Sequence, residues 1–91
     1  MPKTVTFVHL EEKLESSIIA TFFNAYDVEI HRKILNDVEI AGLKKLIKTD
    51  KLPLTVEADH LIKKFDRKPF SRPDGEPTGF ELLLVDLVYK R

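Results

Sequence analysis

The stretch EEKLESSIIATFFNA, residues 11–25, decides the fold. Leu14, Ile18 and Phe22 recur every four residues, and Ile19, Phe23 and Tyr26 widen the stripe, which predicts an amphipathic helix. No Ser, Thr, Asp or Asn caps its start, but Glu11, Glu12 and Glu15 place negative charge near the positive end of the helix dipole. On either side lie segments that alternate. TVTFVH, residues 4–9, is rich in β-branched and aromatic residues and places Val5 and Phe7 on one face. Residues 27–35 put Val28, Ile30 and Ile34 on one face and Glu29, His31 and Lys33 on the other, with Arg32 interrupting the apolar side; the polar face reads as wet. A helix between two such strands is a βαβ unit, whose strands run parallel and whose crossover is right-handed.

Beyond this unit, Asn36 followed by Glu39 matches a capping box and opens a helix to about Lys48, with Ile40, Leu43 and Ile47 inward. Pro53 interrupts the chain. Thr55 then caps a short helix over residues 56–65, with Ala58, Leu61, Ile62 and Phe65 as its stripe, although a strand over 52–56 fits the same residues. Residues 66–79 hold three of the five prolines and two of the three glycines, and read as a long loop. FELLLVDLVY, residues 80–89, reads as a closing strand, although a helix can be drawn through it. The expected architecture is therefore a single α/β (α+β) domain over 1–91, a small two-layer sandwich in the order β-α-β-α-α-loop-β. Its helices lie mainly on one face of a mixed sheet.

Composition excludes several classes. With 43% hydrophobic and 33% charged residues, the chain is too apolar for a disordered tail. It has no apolar run of the length a membrane span needs, so no membrane role is expected. There is no cysteine, hence no disulfide, thiolate metal site or thiol chemistry. No secretory or lipidation motif is seen, and the expected location is the cytoplasm. The net charge is zero, but its distribution is uneven. Residues 1–43 carry four bases against seven acids, 44–72 nine against four, and 73–91 two against four. The basic middle segment makes the molecule an electrical dipole if the fold keeps it on one side.

Three functional readings follow. The closing segment is apolar on both faces, yet a two-layer domain covers only one. Leu83, Val85, Leu87 and Tyr89 are thus expected to meet a partner, another protein or a second copy, with Tyr89 as anchor. The protein is then a non-enzymatic protein-binding module or regulator, homodimeric where that partner is a second copy. The alternative is a nucleic-acid-binding domain of winged-helix type. It would use Lys44, Lys45, Lys48, Lys63, Lys64, Arg67 and Lys68 on phosphates, although zero net charge counts against a dedicated binder. The third is a small enzyme built on His9, His31 or Pro2. No HxH, HExxH, Gly-x-Ser-x-Gly or phosphate-loop pattern is present, so neither a metal nor a cofactor is expected.

Overall fold

A computed structural model describes residues 5–65 and 79–88. Its elements are β1 (Phe7–Glu12), β2 (Ile18–Phe23), β3 (Glu29–Ile34), α1 (Asp37–Leu46), β4 (Leu54–Glu57), α2 (Ala58–Phe65) and α3 (Phe80–Val88). The four strands form one antiparallel sheet in the order β3-β2-β1-β4.

The expected βαβ opening is overturned, because residues 11–25 form a hairpin. Lys13 N–H donates to Ser17 O at 2.7 Å and closes a tight 3-10 turn over Leu14–Ser16, from which Leu14 projects 90% exposed. The helical stripe had needed Leu14 inside. What prevails is the run Ile18–Phe23, whose β-branched and aromatic side chains suit a pleated strand flanked on both edges, with Ile18, Ala20 and Phe22 buried and Ile19 and Phe23 half-buried. The next turn is equally local: Asn24 Oδ1 accepts from Tyr26 N–H and Val28 N–H, at 2.8 and 3.0 Å. Asp27 takes the left-handed conformation there, φ 65°, which a short polar side chain tolerates. Hairpins of this kind join antiparallel neighbours, so β1 and β3, expected to be linked by a helical crossover, instead flank β2, which runs antiparallel to both.

The capping box is present in both directions. Glu39 N–H donates to Asn36 Oδ1 at 2.8 Å, and Asn36 N–H donates to Glu39 Oε1 at 2.9 Å. Of the two readings of 52–65, the strand holds over Leu54–Glu57 and the helix begins only at Ala58, so Thr55 lies within β4 and does not cap α2. Ala58 N–H donates to Thr6 O at 2.8 Å and still belongs to the sheet. The closing segment is the second correction: residues 80–88 are α3, a helix and not a strand. Its apolar character reflects its position, since α3 packs against both α1 and α2. Phe80 and Leu84, four residues apart, are fully buried, and the Phe80 ring stacks on Phe22 with centroids 6.2 Å apart.

All three helices lie on the sheet face that carries Val8, Leu10, Ile18, Ala20 and Phe22, and Leu43, Leu46, Leu61 and Ile62 complete the core. Among the described residues no helix or strand covers the other face.

Candidate functional site: the open face of the sheet

Register assigns the open face residue by residue. One row runs Glu57, Phe7, Phe23, Glu29 across β4, β1, β2 and β3. The next runs Thr55, His9, Thr21, Arg32, and the third Glu11, Ile19, Ile34. Ile30 packs against the core as expected, but beyond it β3 places its faces opposite to expectation. His31 and Lys33 share the helix side with Phe22 and Ala20, their register partners, whereas Ile34 stands on the open face, 63% exposed, opposite Ile19. The inversion has a local cause. β3 is an edge strand, so its helix-side positions lie at the rim of the core, where long polar side chains reach water. Lys33 there meets the Glu39 carboxylate at 3.6 Å, and the His31 ring lies 6.0 Å from Phe22. A bulge at Phe22/Phe23 shifts the register so that Phe23 faces Glu29.

The centre of the face is ordered by polar contacts. The Arg32 guanidinium reaches across β2 to within 4.0 Å of the Glu11 carboxylate, and Thr21 beneath it is only 4% exposed. His9 Nδ1 and Thr55 Oγ1 form a 2.9 Å hydrogen bond that fixes the imidazole against β4. Beside them a cavity of about 530 Å³ is lined by Phe7, His9, Phe23, Asp27 and Thr55. Two of its lining residues are aromatic, Phe7 and Phe23, and Asp27 supplies its carboxylate. Glu57 and Glu29 close the two ends of the row that holds the phenylalanines.

The residues expected to form a protein-binding surface lie elsewhere. Leu83, Val85 and Leu87 are on α3, half-buried against the core, while Leu82 on the same helix is 51% exposed; Tyr89 lies outside the described residues. The expected basic surface is partly assembled. Lys64 Nζ donates to Leu46 O at 2.7 Å, which sets the last turn of α2, with Lys63 and Lys64, beside the last turn of α1, with Lys44 and Lys45, and near Lys48. Arg67 and Lys68, and all of the loop expected at 66–79 except Gly79, lie outside the described residues, as does Pro2. The winged-helix layout is absent from the described residues, because β4 separates α1 from α2 and no short turn joins them.

Sequence reasoning passed over Phe7, Phe23, Asp27 and Ile34. A usable signal was present: IIATFF is apolar at both odd and even positions. That two-faced pattern marks a central strand, but residues 80–89 show it as well and, read without tertiary contacts, draw the strand assignment to themselves. Among the described residues no cluster of three His, Asp or Glu could hold a metal ion, and no helix is long and apolar enough to cross a membrane. The chain matches no family model, no curated protein and no solved structure with which it was compared.

Proposed function

We propose that this protein is a non-enzymatic protein-binding module whose docking surface is the open face of its sheet. The observation that carries the reading is the face inversion of β3. An isolated two-layer domain has no use for Ile34, Ile19, Phe23 and Phe7 on the side away from its helices, while His31 and Lys33 take the side towards them. Apolar and aromatic residues ringed by charged ones are the usual anatomy of a docking surface.

The test compares the native chain with Ile34→Lys and Phe7→Lys, each first checked for folding by amide NMR dispersion. Sedimentation over a wide concentration range reports self-association. Cross-linking to candidate partners reports other complexes. The expected result is an association present in the native chain and lost in both folded variants. If the native chain is strictly monomeric and its cross-linked set is unchanged in both variants, the reading is wrong.

A second reading rests on the Lys64–Leu46 contact, which gathers Lys44, Lys45, Lys48, Lys63 and Lys64 at one end of the helical layer, where phosphates would be attracted. Those same lysines sit in the last turns of helices, where cations balance the negative end of the dipole without any ligand. The nucleic-acid reading stands or falls on anisotropy with single-stranded and duplex probes at about 50 mM salt, where phosphate-directed binding is strong.

A further inference from the structure

Resting on the protein-binding reading, we infer that the cavity over Phe7 and Phe23 takes the guanidinium of an arginine on an extended segment of a partner protein. Phe7 and Phe23 stand opposite each other on adjacent strands, with Cβ atoms about 5 Å apart, and both line the cavity. A planar cation lies on an aromatic ring with the ring quadrupole in its favour, and arginine does so more often than lysine. The carboxylates supply the second half of the match. Glu57 and Glu29 end the aromatic row and Asp27 lines the cavity; among the described residues none of the three is in an ion pair. Among the described residues the one guanidinium on this face, that of Arg32, is turned towards Glu11 and does not line the cavity.

Charge also discriminates among other occupants. A nucleic acid would bring phosphates against Asp27, Glu29 and Glu57, an unfavourable pairing despite the stacking surface. A second copy docked face to face would oppose the carboxylates of Glu11, Asp27, Glu29 and Glu57 with their own duplicates, against only Lys13 and Arg32 from each chain among the described residues. Like charges across an interface suppress association. An arginine-bearing strand meets neither obstacle. In an extended segment, residues two apart share a face at a spacing of about 6.6 Å, so alternate arginines can lie along the sheet together.

The probe is the peptide acetyl-Gly-Arg-Val-Arg-Gly-amide, with leucine and glutamate versions in place of both arginines, titrated against the full chain and followed by amide NMR. The arginine peptide is expected to shift the amides of Phe7, His9, Phe23, Asp27 and Thr55 and to lose affinity as salt rises from about 50 to about 500 mM. Asp27→Asn and Glu57→Gln are near-isosteric changes at exposed positions, and Asn tolerates the backbone of Asp27. Each should weaken binding about two- to fivefold, the range expected when one partner of an exposed cation site is neutralised. Phe7→Leu and Phe23→Leu, which keep apolar bulk but remove the ring, should weaken it similarly. If the leucine peptide shifts the same amides as strongly, or if those amides move with protein concentration in the absence of peptide, the cationic occupant is wrong and the protein-binding reading survives. If no peptide and no dilution moves them, and Ile34→Lys leaves the cross-linked set unchanged, both are wrong.

Discussion

Gly79 is the residue at which this fold leaves least room. It enters α3 at φ +58°, and a Cβ placed on it would lie 2.6 Å from Val38 O, a backbone atom that cannot swing aside. Gly79→Ala is therefore expected to destabilise the chain by about 1–3 kcal/mol, combining a left-handed backbone with a clash that must move α1 or α3. A denaturant midpoint unchanged from native would show that the two helices do not approach as described. Asn36 makes a second residue-scale case. Its side chain and that of Glu39 satisfy two N–H groups at the start of α1, and Lys33 adds a cation beside Glu39. Asn36→Ala should lower stability by about 0.5–2 kcal/mol, as loss of an N-cap does elsewhere. The cap was legible from the residues alone, because its partners are three positions apart and need no tertiary context.

At the scale of elements, α3 is the segment whose nature depended most on its surroundings. In a strand, Phe80, Leu82 and Leu84 would share one face. In the helix, Phe80 and Leu84 are buried and Leu82 turns to solvent. Thermal unfolding separates the two: Leu84→Ala should cost about 2–5 kcal/mol, and Leu82→Ala should fall within about 0.5 kcal/mol of native. Equal losses at both positions would favour the strand. Residues 80–88 carry an apolar side chain almost everywhere, so periodicity could not choose between the forms. Contact with α1, α2 and Phe22 chooses the helix. The segment 11–25 failed differently. Its every-four spacing was real, but Ile18–Phe23 is also a good strand, and pairing with β1 on one side and β3 on the other buries it more fully than one helical stripe would.

For the whole molecule, the sheet order places the most hydrophobic strand, β2, inside and the most charged, β3, at a rim. β1 and β2 are central, β3 and β4 are edges, and β4 is bounded by Pro53 and by α2. In β4, the Ala58–Thr6 hydrogen bond and the alternation of the ladder turn the N–H groups of Thr55 and Glu57 away from β1. Native-state hydrogen exchange should thus be slowest at Val8, Leu10, Ala20 and Phe22, and much faster at Thr55 and Glu57. Protection of Thr55 and Glu57 in the peptide-free chain, equal to that of Val8, would mean that another strand pairs with this edge. Charge is segregated only locally at this scale: Lys44, Lys45, Lys63 and Lys64 stand in the last turns of α1 and α2, but Asp37, Glu39, Asp59, Glu81 and Asp86 on the three helices offset them, while Glu11, Glu29, Glu57 and Asp27 lie on or beside the open face.

Short-range chemistry was readable directly: the start of α1 from Asn36 and Glu39, the break at Pro53, the stripe of Ala58, Leu61 and Ile62, and the absence of thiol chemistry. Each depends on residues within about one turn of one another, where local hydrogen bonds and side-chain periodicity act alone. The antiparallel hairpins, the helical form of residues 80–88 and the face on which Ile34 and His31 lie were settled by packing across the chain. The reason is that an apolar run such as IIATFF or FELLLVDLV lowers its free energy by burial in either backbone form, so the form depends on what lies alongside. The candidate site belongs to this second class. Phe7 comes from one stretch of sequence and Phe23 and Asp27 from another, four residues apart around one turn, and the pairing of β1 with β2 brings them to one cavity.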